Sequence, residues 1–300
     1  MTDRRVLLAI AGDSAAGKTT ISDGLAEIIG RDRVTVVCSD DYHKYGRVAR
    51  AERDITPLHP DCNHLDILAQ HLELLRAGEP ILKPVYNHSY GELDPPEYVE
   101  ARDIIIVEGL HPLAQRRLRQ VFDVKVFLDP PLELRTRWKV RRDVAKRGYT
   151  PEQVMEAMRR READSKAYIA PQRSFADIVV SFYEREGRAG DDEHLDVRLV
   201  LRPTLAHPNL EHLLPPDGGP IRHRLGRDEG RPVDFLEIDG SAPDEEIRRL
   251  EDAIYARFWG DSNAVPPAVG RVDEVHSGPL ALTQLLIAGH VLEARSLVAA

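Results

Sequence analysis

The chain has 300 residues, enough for one large domain or two small ones. Lys plus Arg total 41 against 50 Asp plus Glu, a formal net charge of −9. That balance argues against a general nucleic-acid binder, which needs a positive surface to displace counterions. No apolar run approaches the length of a membrane span, and the N-terminus enters its first strand too soon for a signal peptide. Two cysteines, Cys38 and Cys62, make neither a disulfide framework nor a zinc site, so a cytoplasmic home is expected.

An apolar run from Val6 to Ala11 predicts a buried strand. It leads into Gly12-Asp13-Ser14-Ala15-Ala16-Gly17-Lys18-Thr19, a complete G-x-x-x-x-G-K-[ST] phosphate loop. Thr20 to Ile29 follows with helical spacing of Ile21, Leu25, Ile28 and Ile29. Strand, glycine loop and helix in that order aim backbone N–H groups at one point, where a polyphosphate sits. Lys18 is expected to reach the β- and γ-phosphates of ATP, and the Thr19 hydroxyl to bind Mg2+. The bland alternative is a glycine turn that merely caps the helix.

Val34 to Cys38 reads as a second buried strand, stopping at Ser39-Asp40-Asp41. Leu65 to Leu75 carries apolar residues at 65, 68, 72 and 75, the stripe of an amphipathic helix, ended by Gly78 and Pro80. Ile81 to Asn87 is short and extended, and Tyr90 to Pro96 reads as a turn-rich return. Ile104 to Val107 is a third buried strand ending at Glu108, and Val124 to Leu128 a fourth ending at Asp129-Pro130-Pro131. Leu132 to Ala145 and Pro151 to Ala167 read as basic helices, and Ile178 to Phe182 as a fifth strand. Short buried strands alternating with helices predict an α/β fold with a mostly parallel central sheet flanked by helices.

From Tyr183 the texture changes. A charged link, 187–193, and a stretch rich in Pro, Gly, His and Arg, 208–232, surround the strand candidates Val197 to Leu201 and Val233 to Ile238. Asp244 to Trp259 reads as an amphipathic helix. This half is expected to extend the same sheet, giving one domain over 1–300: a core at 1–182 with a lid at about 135–167, then the extension at 183–300. A structureless stretch as long as 208–232 is unusual, so part of it is expected to pack on a neighbouring subunit or the active-site rim.

Three acids stand at strand ends, Asp40, Glu108 and Asp129. Ligands of open α/β sheets bind beyond the carboxyl ends of the strands. A kinase needs one carboxylate to accept the proton of the attacking hydroxyl and another in the metal shell. Asp40 suits the base and Glu108 the metal. Asp41 is the rival for Asp40, and strand alternation turns one of the pair away. Asp129 reads as a turn. Between Arg135 and Arg161 lie ten cations, among them Lys139, Arg142 and Arg147. They suggest a lid over the phosphates, against the bland reading of a solvated helix face. His43 and Arg47 follow Asp40, and His111 follows Glu108, so these join the candidates, with His88 from Tyr86-Asn87-His88. Such side chains suit a sugar phosphate: cations pair with phosphate and imidazoles bond hydroxyls.

With these residues in view, the chain resembles the phosphoribulokinase/uridine kinase family, and within it the plant and cyanobacterial phosphoribulokinase branch. The stretches that carry the likeness are the phosphate loop, Asp40-Asp-Tyr-His-Lys-Tyr-Gly-Arg47, Lys83-Pro-Val-Tyr-Asn-His88, Leu93-Asp-Pro-Pro-Glu97, Val107-Glu-Gly-Leu-His-Pro112, Arg142-Asp143 with Arg147-Gly-Tyr149, and Tyr168-Ile-Ala-Pro-Gln172. They run in the family's order over about the first 180 residues, and a weaker likeness through Pro279 to Ala294 resembles its final helix. The resemblance implies transfer of the ATP γ-phosphate to the C1 hydroxyl of ribulose 5-phosphate, and a homodimer or higher homo-oligomer. By position it implies catalytic roles for Asp40, Lys18 and Asp143. Gly12 to Thr20 (Thr20 included), Arg142 and Arg147 would hold the nucleotide, and Thr19 and Glu108 the metal. His43, Arg47, Tyr86, His88, His111, Lys139 and Arg161 would hold the sugar phosphate.

One departure is informative. Oxidation-switched relatives pair a cysteine inside the phosphate loop with one before the Asp-Asp-Tyr-His stretch. This chain has Ala16 at the first position and Cys38 at the second. That disulfide cannot form. The competing functions are a uridine kinase or other small-molecule kinase of the family, and a regulatory nucleotide-binding protein without catalysis. Intact Lys18, Thr19, Asp40 and Glu108 speak against the last.

Overall fold

The first strand, β1 (Val6–Gly12), leads through the phosphate loop into α1 (Lys18–Ile29). The computed structural model describes residues 5–185, 194–208, 219–260, 263–273 and 275–299. After α1 come β2 (Val34–Cys38), a 3-10 turn over Ser39–Tyr42, a short α2 (Arg47–Glu52) and α3 (Leu65–Ala77). A hairpin of β3 (Ile81–Asn87) and β4 (Glu92–Val99) stands apart from the main sheet. β5 (Ile104–Gly109), α4 (Arg116–Val121) and β6 (Val124–Leu128) follow. Next are α5 (Leu132–Arg147), α6 (Pro151–Asp164) and β7 (Ile178–Tyr183). The last third holds β8 (Asp196–Leu201), β9 (Ile221–Asp228), β10 (Arg231–Ile238) and α7 (Asp244–Trp259). A two-strand ladder, β11 (Arg271–Val272) and β12 (Val275–His276), precedes α8 (Gly278–Ala299).

Eight strands form one sheet in the order β2-β5-β1-β6-β7-β8-β10-β9. The first five are parallel and the last three antiparallel, so the expected α/β class holds, with mixed pairing at one edge. Alternation along β1 divides the core. Val6, Leu8 and Ile10 face α1, α7 and α8, while Leu7, Ala9 and Ala11 face α3 and α4. Helices on both faces keep every residue of β1 buried, which is why it reads as a continuous apolar run. α8 is buried on all sides from Pro279 to Val291, the environment a helix without a polar face requires.

Several expectations are corrected. Val34 to Cys38 is a strand, but at the sheet edge, and Val36 is exposed. Tyr90 to Pro96 is largely strand β4. Its Pro95 and Pro96 are tolerated because a two-stranded ribbon has free edges on both sides. The second basic helix stops at Asp164 and passes into a π-helical turn, Ser165–Ile169. The stretch 208–232 is not structureless: β9 lies inside it and forms a hairpin with β10. Its remainder at 209–218, and the charged link at 187–193, lie outside the described residues.

Candidate active site

β1, β2 and β5 end side by side, with Glu108 level with Ile10 on one side and Cys38 on the other. The phosphate loop opens from this end. Gly17 sits at φ 94°, a left-handed conformation that costs glycine nothing, and it turns the chain into α1. The Lys18 ammonium donates to the carbonyls of Gly12 and Asp13 at 3.1 and 2.9 Å, across the mouth of the loop. Thr19 and Thr20 lie in the first turn of α1, and the Thr19 hydroxyl donates to Glu108 Oε1 at 3.0 Å. Glu108 is 8% exposed, and burial, with Asp40 nearby, raises its carboxyl above the ordinary value.

Asp40 and Asp41 lie in the 3-10 turn, not in a strand, so turn geometry rather than strand alternation separates them. Asp40 faces the loop. Its Oδ1 accepts the Leu110 N–H at 2.9 Å. Burial works against its charge, but Lys18 first, helped by the Leu110 N–H, holds the carboxyl below its ordinary value. Gly109 makes room for this: a Cβ there would lie on Ser39 Oγ and 2.8 Å from Asp40 Oδ1. Asp41 turns away, accepting the Tyr86 N–H at 3.0 Å and pairing with the buried Lys83.

The basic helices do lie over the loop. Lys139 and Arg142 donate to Ser14 Oγ at 3.1 and 3.2 Å, and Arg135 pairs with Asp13 at 2.7 Å. Ser165, at the head of the π turn, donates to the same Asp13 oxygen. Asp143 gathers the lid cations, with Lys139, Arg142 and Arg147 at 3.0, 2.9 and 3.3 Å. The hydrogen bond from Arg142 and the surrounding positive charge hold the Asp143 carboxyl below its ordinary value against the effect of burial. Burial pushes the Lys139 ammonium down to about 8.

The third wall is formed by α2 and the β3–β4 hairpin. His43 Nδ1 bonds Asn63 Oδ1 at 2.6 Å, and its ring meets Tyr86 edge-on at 4.7 Å. Burial brings His43 and His111 each down to about 4, so both are neutral at neutral pH. His88 packs edge-on against Tyr86 at 5.1 Å, and its carbonyl accepts from Arg47 at 2.8 Å. Arg161 reaches this wall from α6, and burial and Arg50 lower its guanidinium.

Arg50 was not legible as a site residue. It is buried, donates to Tyr86 Oη at 2.6 Å and to the Tyr45 carbonyl at 2.8 Å, and lies over the Tyr86 ring. Among the described residues neither Arg50 nor Arg161 has a carboxylate within 4.0 Å. The missed signal was spacing: Arg47 and Arg50 are i and i+3 on one short helix. Asp129, expected as a turn, pairs with Arg173 at 2.8 Å, away from the loop. Cys38 and Cys62 are free thiols, and Ala16 is fully buried in the loop.

Comparison with known proteins identifies the family. The model of the "Phosphoribulokinase / Uridine kinase family" matches residues 7–186. A phosphoribulokinase of Synechocystis sp. is 42% identical over 271 residues, covering 84% of this chain and 80% of that one. A uridine kinase of Shewanella piezotolerans is 34% identical over 183 residues, 58% of this chain and 86% of that one. The solved phosphoribulokinase from Rhodobacter spheroides shares the fold, with a TM-score of 0.60 at 17% identity over 85% of this chain and 98% of that one. The matched residues include the phosphate loop, the strand-end carboxylates and the basic helices, and the chain belongs to the phosphoribulokinase/uridine kinase family.

Proposed function

We propose that the chain transfers the γ-phosphoryl group of ATP to the C1 hydroxyl of ribulose 5-phosphate. The observation that carries the choice of acceptor is the charge of Arg50, a buried guanidinium with no carboxylate within 4.0 Å among the described residues, next to a second guanidinium, Arg161. His43 lies within the electrostatic reach of both Asp40 and Arg50. A buried cation without a carboxylate calls for an anion, and a sugar phosphate supplies one. Uridine, the acceptor suggested by the more distant relatives, carries no anion to meet it.

In this reading the phosphate loop and Lys18 hold the β- and γ-phosphates. Arg47, Arg50 and Arg161 grip the phosphate of the sugar, and His43, Tyr86, His88 and His111 bond its hydroxyls. Asp40 accepts the C1 hydroxyl proton as that oxygen forms its bond to phosphorus and the bridging bond to ADP breaks. A carboxylate held ionised by Lys18 is ready to take that proton. Lys139, Arg142 and Arg147 spread charge over the moving phosphoryl group, with Asp143 keeping them in place.

Thr19 and Glu108 fit Mg2+. Both offer hard oxygens, and the raised Glu108 carboxyl beside Asp40 marks a place where a cation is favoured. When bound, Mg2+ neutralises charge on the β- and γ-phosphate oxygens. We also take the chain as one domain acting as a homodimer or larger homo-oligomer in the cytoplasm; free Cys38 and Cys62 suit a reducing compartment. No described helix is long and apolar enough to cross a membrane.

A steady-state comparison of ribulose 5-phosphate, uridine, cytidine and pantothenate tests the reading. Ribulose 5-phosphate should exceed the others in kcat/KM by about 10³-fold or more, the scale of an unpaired buried charge. Preference for a nucleoside would overturn it.

A further inference from the structure

The stretch Tyr168-Ile-Ala-Pro-Gln172 is used by none of the chemistry described so far. It forms the end of the π turn and the start of a 3-10 turn, Ala170–Phe175, packed under the loop that follows β5. Gln172 is 2% exposed and its amide is fully engaged. Its Oε1 accepts the Leu113 N–H at 2.9 Å. Its Nε2 donates to the Leu110 and Tyr168 carbonyls at 2.8 and 2.9 Å. Those partners fix the orientation of the amide, since a carbonyl can only accept. Leu110 is thus held from both sides: its C=O by Gln172, and its N–H by Asp40 Oδ1 at 2.9 Å.

We propose that Gln172 is a positioning residue that sets the orientation of Asp40 through Leu110. The relay is short and buried. Rotation of the Gly109–Leu113 loop would carry the Leu110 N–H away from Asp40, and loss of the Gln172 bond frees that rotation. The same stretch supports the other end of the site. The Tyr168 hydroxyl bonds His59 Nε2 at 3.1 Å, the His59 carbonyl accepts from Asn63 at 3.0 Å, and Asn63 bonds His43. The proposal rests on the reading of Asp40 as the base.

Two variants test it. Gln172→Leu removes the whole amide. Gln172→Glu keeps the shape and the acceptor for Leu113 but loses the donor to Leu110, so it remains informative if the leucine variant folds poorly. In the substrate-free protein, exchange of the Leu110 amide hydrogen should quicken by about tenfold or more in Gln172→Glu, as local protection is lost. This readout needs no substrate, so it stands apart from any failure of the proposed reaction. With ribulose 5-phosphate and ATP, kcat should fall by about 10- to 100-fold, the scale of a misplaced reacting group, with KM for ATP within about twofold of wild type. In an Asp40→Asn background the same substitution should cost less than about twofold, because residues acting through one another are not additive. Unchanged Leu110 exchange, or a full loss of kcat repeated in the Asp40→Asn background, would overturn the proposal.

Discussion

Asp40 and Asp41 share a peptide bond and serve opposite networks. Asp40 lies in the field of Lys18 and accepts the Leu110 N–H, while Asp41 is tied to Lys83 and the Tyr86 N–H. Substituting each therefore separates chemistry from stability. Asp40→Asn should lower kcat by about 10²-fold or more, with KM for ATP little changed and melting temperature no lower than wild type. Asp41→Asn should keep most of kcat but destabilise the fold by about 2 kcal/mol, because Lys83 is left largely buried with the half-exposed Glu97 as its remaining partner. Thermal melts and initial rates on both variants decide it; the reverse pattern would make Asp41 the base.

The phosphate wall makes a second prediction. Arg50 meets Tyr86 and the Tyr45 carbonyl but no carboxylate. Arg50→Lys keeps a cation and loses the forked donor, so KM for ribulose 5-phosphate should rise by about tenfold or more with KM for ATP unchanged. Arg47→Ala should act in the same direction. Its guanidinium is more exposed than Arg50, so its effect should be smaller. A sugar-phosphate KM unmoved by Arg50→Lys would take Arg50 out of the pocket.

Lys139 gives the pH dependence. Burial brings its ammonium down to about 8, only partly opposed by Asp143. A lysine lowered in this way is a cation below that value and neutral above it, so the charge offered to ATP is lost as pH rises. The kcat/KM for ATP should therefore decline through a basic limb near 8, while kcat at saturating ATP declines later because bound phosphate favours the charged form. Lys139→Arg should abolish the limb, since a guanidinium stays charged. A wild-type profile flat through that region, or an arginine variant with the same limb, would assign the effect elsewhere.

The sequence made the phosphate loop, the five core strands and the strand-end acids legible, because each is a local pattern. Apolar runs such as Val6 to Ala11 encode a strand buried on both faces, and Asp40 and Glu108 stand at or just past the ends of two apolar runs. What stayed hidden depends on tertiary partners. β9 is edge-like and polar, with Arg222, His223 and Arg224 exposed, so nothing in its pattern separates it from a loop until β10 pairs with it. Arg50 looks like any helical arginine until Tyr86 closes over it. The π turn at Ser165 is invisible in a helical periodicity that runs past Asp164.

That turn leads to a prediction about the lid. Asp13 Oδ2 receives both Arg135 of α5 and Ser165 of the π turn, while Oδ1 accepts the Ser14 N–H at 2.6 Å. One loop carboxylate thus anchors both ends of the lid. Asp13→Asn preserves an acceptor for Ser14 but removes the charge that Arg135 meets. It should lower kcat/KM for ATP by about tenfold, the worth of one partly buried charged hydrogen bond, and speed amide exchange in α5. Unchanged exchange in α5 would show that the lid is held by its other contacts.

Redox insensitivity is the last expectation. Ala16 occupies the loop position where a disulfide partner would be needed, and Cys38 and Cys62 are both free. The thiolate is the form that attacks a disulfide or an oxidant. Burial pushes the Cys38 thiol well above its ordinary value, and the charges of Asp40, Glu108 and Asp41 push it further. Burial raises Cys62 as well. Both thiols are therefore protonated and slow to react at neutral pH, although Cys38 lies beside Asp40 and Glu108. Activity should be nearly equal after incubation with reduced or oxidised dithiothreitol. Reversible oxidative loss in the unmodified chain, abolished by Cys38→Ser or Cys62→Ser, would show that a thiol switch operates without the loop cysteine.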